Sequence, residues 1–400
     1  MSTCLSIRLY LTAATLTSTL ACVEPDEPAL GVTEAFLGCN DGVAQIAELC
    51  AAPPTTVLET ASPLATVLAV DLNGDALRDV VGVDATRIYV RLRAAAGFGV
   101  WSSYQPPGGP LFRDVAAGDF DGDGEPDVAA VDFANDRLVV RLHTVGASFA
   151  PAMFFPTADG PIRVLAARID GDARDDLVVL NDNANTLQVF FAGAFGAPVS
   201  YPVGTARDLA VGDCDGNGET DVMYLNFSGA ATELHARRNF GGNLGMLALS
   251  PFPFIPTVPI PFFSAPLAIV SGRMNADAVD DVVVSAEWSR LVTGRSNGNC
   301  TFAKLPEVQT YAWTYRLRLG DHDGNGALDV AAPHYTDPAD DELSVVFGVG
   351  NGNLIPAYGL LQRPTGTVFN DTAFGDFNSD GARDLITASR PGFLLHRGTP

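Results

Sequence analysis

The chain has 400 residues, of which 47% are hydrophobic and 18% are charged, and it contains 40 Gly and 27 Pro. This composition favours a turn-rich, all-β globular body and argues against a disordered chain. The formal net charge of −23 at pH 7 would repel a phosphate backbone, so we expect no nucleic acid partner.

Residues 1–22 contain one arginine, Arg8, followed by an apolar and small-residue stretch that is too short to span a bilayer. This pattern predicts a secretory signal peptide. The sequence TLAC at its end resembles a bacterial lipobox, which would make Cys22 a lipid anchor, although Thr19 stands where that pattern prefers Leu. The alternative is ordinary cleavage after Ala21, which releases a soluble protein. Both alternatives predict export from a bacterium, to the cell surface or outer membrane or into the medium.

Residues 23–50 are acidic and contain proline without a sustained period, which predicts a linker. Within it, Cys39 and Cys50 bracket a short loop, and we expect them to form a disulfide in an oxidising compartment. Cys214 and Cys300 have no obvious local partner.

One short acidic element occurs seven times in the rest of the chain. Its copies begin at residues 71, 119, 168, 213, 273, 321 and 376, and DFDGDGEPDV at 119 is representative. The spacing of 45 to 60 residues resembles the period of about 40–50 residues found in four-stranded propeller blades. We call each copy an acidic loop, name it by its first residue, and number its positions 1 to 9.

Apolar, β-prone runs precede and follow each acidic loop, for example FRDVAAG before loop 119 and VAAVD after it. The repeat therefore predicts that residues 51–400 form an all-β, seven-bladed β-propeller with four-stranded blades. The last repeat lacks a fourth strand, and we expect residues 52–60 to supply it and close the ring.

The pattern D-x-[DN]-x-[DN]-G with Asp at position 9 places oxygen ligands on alternate residues of a tight turn, which suits Ca²⁺. In loop 119 the carbonyl oxygen of Glu125 adds a further ligand. Five loops have the full pattern, which predicts about five Ca²⁺ sites, and their side-chain ligands are Asp71, Asn73, Asp75 and Asp79; Asp119, Asp121, Asp123 and Asp127; Asp213, Asp215, Asn217 and Asp221; Asp321, Asp323, Asn325 and Asp329; and Asp376, Asn378, Asp380 and Asp384. The alternative is that these loops are solvated turns without an ion.

Two loops depart from the pattern, because Arg168 and Arg273 replace the first Asp. We expect these loops to bind Ca²⁺ weakly or not at all. A guanidinium can fork between carboxylates, so each Arg is predicted to substitute for the ion within its own loop.

These loops resemble the FG-GAP/VCBS repeat family, which includes the head of integrin α subunits and many exported bacterial proteins. The resemblance covers about residues 52 to 399. It implies a seven-bladed ring with calcium in the blade loops and a role in adhesion or in binding a protein or carbohydrate ligand.

The five histidines, at 143, 235, 322, 334 and 396, are scattered and form no H-E-x-x-H motif. We therefore predict a non-enzymatic binding or adhesion scaffold with no catalytic residues; the alternative is an exported glycan hydrolase or lyase. His322 is expected to face solvent.

The Pro- and Phe-rich segment 250–266 is either an insertion that packs on the propeller or an exposed patch that docks a partner.

Overall fold

The computed structural model describes residues 55–59, 64–94, 97–144, 148–193, 195–227, 232–251, 268–286, 290–310, 314–334, 342–362, 370–377, 379, 381, 383–389 and 392–396. No helix occurs among these residues, so none of them belongs to a helix that could span a membrane. The predicted signal peptide, the linker, the predicted Cys39–Cys50 disulfide and most of segment 250–266 lie outside the described residues.

The strands of the described residues are, in chain order, β1 (Thr55–Glu59), β2 (Thr66–Val70), β3 (Asp79–Val83), β4 (Ile88–Ala94), β5 (Gly97–Tyr104), β6 (Phe112–Gly118), β7 (Asp127–Asp132), β8 (Arg137–Arg141), β9 (His143–Thr144), β10 (Ser148–Phe149), β11 (Met153–Pro156), β12 (Pro161–Ala167), β13 (Asp176–Asn181), β14 (Thr186–Phe190), β15 (Val199–Pro202), β16 (Ala206–Gly212), β17 (Asp221–Phe227), β18 (Thr232–Phe240), β19 (Asn243–Pro251), β20 (Ile269–Gly272), β21 (Asp281–Ala286), β22 (Arg290–Ser296), β23 (Phe302–Lys304), β24 (Val308–Gln309), β25 (Arg318–Gly320), β26 (Asp329–Pro333), β27 (Glu342–Gly348), β28 (Leu354–Gln362), β29 (Asp371–Gly375), β30 (Asp384–Ser389) and β31 (Gly392–His396).

Within the described residues, these strands pair into seven antiparallel sheets of four or five strands and one separate hairpin, β9–β10. Sheet 1 is β2 to β5; sheet 2 is β6, β7, β8 and β11; sheet 3 is β12 to β15; sheet 4 is β16 to β19; sheet 5 is β20 to β24; sheet 6 is β25 to β28; and sheet 7 is β29 to β31 with β1. Each acidic loop joins the first strand of its sheet to the second.

The first strands of the sheets contact one another in a closed circle. β2 contacts β6, and the contacts continue through β12, β16, β20, β25 and β29 back to β2. The first strands therefore surround a common axis, and the chain is an all-β propeller.

Sheet 7 contains both ends of the described chain. Strand β1 pairs with β31 in antiparallel register, with Thr55 opposite Leu395 and Glu59 opposite Gly392. Because β31 is thereby covered on its outer side, this sheet has the same four-strand order as its neighbours.

Apolar clusters fill the spaces between neighbouring sheets. The cluster between sheets 2 and 3, for example, contains Val131 and Phe190, and the cluster between sheets 3 and 4 contains Leu180 and Tyr224. The middle strands β3, β7 and β13 are buried at every position, since a sheet between two others must be apolar on both faces. This explains the near-continuous apolar runs after the acidic loops.

Position 2 of each acidic loop supplies a side chain that packs against the next sheet. Phe120 of loop 119 meets Phe195 of sheet 3 edge to face, with ring centroids 6.2 Å apart. Phe377 of loop 376 packs beside Phe98 of sheet 1 at 6.0 Å. The side chains at this position are at most 2% exposed in six loops: Leu72, Phe120, Ile169, Cys214, Met274 and Phe377.

A second contact between neighbouring sheets lies near the axis, five residues before each loop. Asp114, Asp208 and Asp371 occupy this position in sheets 2, 4 and 7, and each carboxylate accepts a backbone N–H from the first strand of the next sheet, from Val164, Ile269 and Val67. Because the bond from Val67 joins sheet 7 to sheet 1, one of these contacts helps to close the ring.

Arginines balance these buried carboxylates. Arg163, which is 7% exposed, donates to Asp208 and, at 3.1 Å, to Asp114. Arg316 contacts the other oxygen of Asp114 at 3.0 Å, and Arg318 contacts Asp371 at 2.6 Å. The axis thus holds a network of ion pairs that connects five of the sheets.

Deleting residues 51–61 removes β1 and exposes the edge of β31. We expect the cooperative unfolding transition to be lost and the protein to associate, because an unpaired strand edge templates aggregation. Circular dichroism melts and size-exclusion chromatography would measure this. Deleting residues 23–50 instead is the control. If the two deletions gave the same melt and the same degree of association, the role of β1 in closing the ring would be contradicted.

Arg163→Met leaves Asp114 and Asp208 buried with less positive charge nearby. Breaking a buried pair in this way costs about 3–5 kcal/mol in the free energy of unfolding, which urea denaturation would measure. The control is Arg168→Met in the same sheet, where the side chain is 62% exposed and we expect a change within about 0.5 kcal/mol. Similar decreases in the free energy of unfolding in both variants would count against a stabilising role for the axial ion pairs.

Candidate metal centres

The acidic loops all follow the first strand of a sheet, so they lie together on one face of the ring. Their local geometry comes from carboxylates that accept backbone N–H groups. In loop 119, Asp119 accepts the N–H groups of Gly122 at 2.7 Å and Gly124 at 3.0 Å. Both glycines have φ of 87°, a conformation that disfavours other residues. The D-x-D-G-D-G pattern therefore encodes a tight turn around the first carboxylate.

The Asp at position 9 is buried in every loop, with 0% exposure for Asp79, Asp127, Asp176, Asp221, Asp281, Asp329 and Asp384. In loop 119, one oxygen of Asp127 accepts the N–H of Phe120 at 2.8 Å, and the other accepts the N–H of His143 at 2.6 Å. Loops 71, 168, 213 and 321 repeat this pair of bonds. The carboxylate thus joins the loop to the end of the third strand of its sheet.

Burial raises the pKa of this carboxyl group above its ordinary value, while the backbone donors lower it in part. The pKa rises to about 6 in Asp127, Asp221 and Asp281 and to about 7 in Asp329. Neighbouring carboxylates of the same loop add to the increase. Each loop therefore gathers negative charge at a place where a cation would lower these pKa values.

Three of the five loops with the full pattern bring carboxylate oxygens within 4.8 Å of one another. The groups are Asp119, Asp121 and Asp127; Asp213, Asp215 and Asp221; and Asp321, Asp323 and Asp329. In loop 321, Oδ1 of Asp321 is buried and accepts no hydrogen bond from the described residues, so this acceptor needs a partner that those residues do not supply. A set of hard oxygen donors with an unsatisfied buried oxygen fits Ca²⁺.

Loop 71 does not bring three carboxylates together within this distance among the described residues. Its Asn73 side chain donates to Asp75 at 3.2 Å, and Ala76 occupies the glycine position with φ of 64°. In loop 376, Asn378 and Asp380 lie outside the described residues. Asp376 accepts the N–H groups of Ser379 and Gly381, as Asp119 does in its own loop.

The two arginines at position 1 do not fork between the ligand positions of their loops. Arg168 is 62% exposed, and its Nε lies 3.5 Å from Asp175; Arg273 is 65% exposed, and its Nε lies 4.0 Å from Asp280. Asp175 and Asp280 occupy position 8, outside the ligand set. The predicted substitution of each Arg for an ion is therefore wrong, because the exposed guanidinium lies beside position 8 of its own loop and not between the ligand positions. In loop 168, Arg174 binds Asp172 instead.

Asp175 and Asp280 have a different role, which the sequence did not suggest. Asp175 accepts the N–H of Asp119 at 3.1 Å, and Asp280 accepts the N–H of Asp213 at 2.8 Å. The two loops that have Arg at position 1 thus hold the loop of the preceding sheet through a hydrogen bond from its backbone.

Cys214 and Cys300 form a disulfide, although no local partner was evident for either in the sequence. Cys214 is at position 2 of loop 213, and Cys300 lies in the turn between β22 and β23, so the bond joins sheet 4 to sheet 5. The signal was available in the aligned loops, because position 2 is where other loops have a buried side chain that reaches the next sheet. Closing an 86-residue separation stabilises the fold by about 4.5 kcal/mol in the chain-entropy model.

His322 also occupies position 2, and the expectation that it faces solvent is wrong. Its ring lies 5.9 Å from that of Phe374 in sheet 7, and burial lowers its pKa. The position, and not the residue type, decides where this side chain packs.

A small cavity of about 50 Å³ lies between sheets 1 and 2 and is lined by residues that include Tyr104, Arg141 and Phe149. The guanidinium of Arg141 lies 4.3 Å from the ring of Tyr104. Arg237 lies over Tyr201 of sheet 3 in the same way, at 5.1 Å. Because the contact recurs between other sheets, we interpret it as a structural contact between neighbouring sheets.

Comparison with known proteins agrees with this architecture. Residues 71–130, which contain loops 71 and 119, match the family model described as FG-GAP-like repeat. No curated protein sequence matches the chain significantly. Two crystal structures of BBS1N in complex with ARL6DN, soaked with lead and with mercury, are similar to this chain at 14% identity, with TM-scores of 0.57 and 0.58. The similarity covers 88% of this chain in both cases, and 96% and 97% of the crystallised chains.

Selenomethionine-substituted virginiamycin B lyase from Staphylococcus aureus is similar at 11% identity with a TM-score of 0.58, covering 85% of this chain and 97% of its own. At these identities the similarity concerns the fold alone. The chain is a β-propeller that carries an FG-GAP-like repeat at residues 71–130.

Proposed function

We propose that the protein is an exported, calcium-binding propeller of seven blades that acts as a non-enzymatic binding or adhesion scaffold for a protein or carbohydrate ligand. Each of the seven sheets is one blade, and the loops on one face hold the ions. The calcium assignment is carried by the carboxylate group of loop 321, in which the buried Oδ1 of Asp321 has no donor among the described residues.

Calcium in these loops would neutralise charge and stabilise the turns. In loop 119 the carboxylates of Asp119, Asp121 and Asp127 are close enough together to share one ion, and the sequence adds Asp123 and the carbonyl oxygen of Glu125 as further ligands. An ion that binds only the native state stabilises it by mass action. With 47 acidic and 24 basic residues, the calcium-free chain repels itself, and the bound ions reduce that repulsion.

Two features support export. Residues 1–22 have the pattern of a secretory signal peptide, and lipidation of Cys22 remains the proposed alternative to release. The disulfide between Cys214 and Cys300 is of the kind that persists in oxidising compartments outside the cytoplasm.

The described histidines favour a scaffold over the alternative of a glycan hydrolase or lyase. His334 contacts the hydroxyl of Ser344 at 2.7 Å, but both residues are 0% exposed and cannot meet a substrate. His143 is 3% exposed and contacts Glu125 within loop 119. Neither arrangement supplies an accessible acid and base.

Metal analysis after exhaustive dialysis tests the calcium assignment. We expect at least two Ca²⁺ per chain, since loops 119 and 321 present carboxylate groups, and at most about five. A chelator is expected to lower the melting temperature by about 5 °C or more, because calcium at a concentration far above its Kd contributes several kcal/mol to the free energy of unfolding. Retention of no calcium, with an unchanged melt, would refute the proposal.

The pH dependence of stability should differ with and without calcium. In chelator, the raised pKa values of Asp127, Asp221, Asp281 and Asp329 mean that folding favours their protonated forms. This stability is present below about pH 4 and is lost as pH rises through 6 to 7. We therefore expect the melting temperature in chelator to fall between pH 5 and pH 8 and to change less with calcium. Parallel profiles under the two conditions would contradict this explanation.

A further inference from the structure

Loop 213 differs from loop 119 at position 3, although both sequences have the full pattern. Both oxygens of Asp215 have donors: the N–H of Asn217 contacts Oδ1 at 3.1 Å, and the guanidinium of Arg238 contacts Oδ2 at 2.5 Å. The Asp215 side chain is only 1% exposed. Asp121 is exposed, and the described residues contain no ion pair to it. A fixed positive charge therefore already occupies one ligand position of loop 213.

The partner arginine comes from the third strand of sheet 4. Arg237 lies opposite Val222 in this sheet, just as Arg141 lies opposite Val128 in sheet 2. The next residue along the third strand is therefore Arg238 in sheet 4 and Leu142 in sheet 2. Arg238 also lies over the ring of Phe240 at 5.0 Å, which holds the guanidinium in place.

Loop 213 is also fixed covalently, at position 2, by the disulfide between Cys214 and Cys300. The Sγ atoms of Cys214 and Cys300 lie 3.1 and 3.2 Å from Oδ2 of Asp221, the position 9 carboxylate. The N–H of Cys300 also donates to the carbonyl oxygen of Cys214 at 3.3 Å. Loop 213 is thus attached to sheet 5 by bonds that need no ion.

We infer that Arg238 is an internal cation of loop 213, so that this loop binds calcium more weakly than loop 119 despite its intact sequence. The inference rests on the proposed calcium function. A guanidinium and Ca²⁺ compete for the same carboxylate, and an ion that entered here would have to displace a charge-assisted contact. The disulfide holds loop 213 to sheet 5, and the Arg238–Asp215 pair holds the loop to the third strand of its own sheet, so that neither attachment needs an ion.

Matched substitutions in the two loops test this inference in the full chain. Asp121→Asn should lower the calcium retained after dialysis by one ion per chain, whereas Asp215→Asn should leave it unchanged. Native mass spectrometry under non-reducing conditions would count the ions. Loss of one ion from Asp215→Asn would overturn the inference, because loop 213 would then hold calcium in the unaltered protein.

Removing the guanidinium is the converse test. Arg238→Gln should add one ion per chain, or raise the affinity of one site about tenfold or more, and adding Asp215→Asn should abolish the gain. The control is Arg207→Gln, also in sheet 4, which removes an exposed charge paired with Asp182. This variant should leave the number of bound ions and their affinity unchanged. A count and affinity unaltered by Arg238→Gln would overturn the inference.

The two proposals fail in distinguishable ways. If the unaltered protein and Arg238→Gln both bind no calcium, the proposed calcium function fails together with the inference. If the unaltered protein binds calcium and Arg238→Gln gains none, only the inference fails. If the unaltered protein binds none and Arg238→Gln binds one ion, the proposed calcium function and the comparison with loop 119 fail, and only the role of Arg238 as the internal cation of loop 213 stands.

Discussion

The structure depends on one buried carboxylate in each sheet, the Asp at position 9 of the acidic loop. A carboxylate with two oxygens can accept one N–H from its own loop and another from the end of the third strand, as Asp127 does with Phe120 and His143. It thereby fixes the loop relative to three strands at once. Burial of the charge raises its pKa, and the resulting electrostatic cost is the physical reason why a bound cation suits these loops.

The sheets themselves are joined by side chains that reach from one repeat to the next. Position 2 of each loop packs against the following sheet, and three carboxylates near the axis accept N–H groups from the following first strand. These contacts are directional, since each sheet donates a side chain forward round the ring. A ring built in this way needs its last sheet to meet its first, and the bond from Val67 to Asp371 satisfies that requirement.

In the proposed function, calcium and side-chain cations are alternative ways to neutralise the carboxylates of a loop. In the part of the chain that the structure describes, a buried oxygen of Asp321 in loop 321 has no donor, whereas in loop 213 Arg238 pairs with Asp215. Loop 168 uses Arg174 on Asp172. The motif alone is therefore a poor guide to which loops keep their carboxylates free of an ion pair, because a strand residue outside the motif can neutralise one of them.

The sequence by itself determined the number and place of the acidic loops, the strands on both sides of them and the all-β propeller, because these follow from local periodicity and turn chemistry. It also contained a further signal: the position five residues before each loop is charged in five of the seven repeats, although the residues around it are mostly apolar. Only the tertiary structure decided which of these residues meet. Cys214 with Cys300, Arg163 with Asp208 and Arg238 with Asp215 join residues 86, 45 and 23 positions apart. Such pairings depend on the stacking and register of whole sheets, which no single repeat specifies.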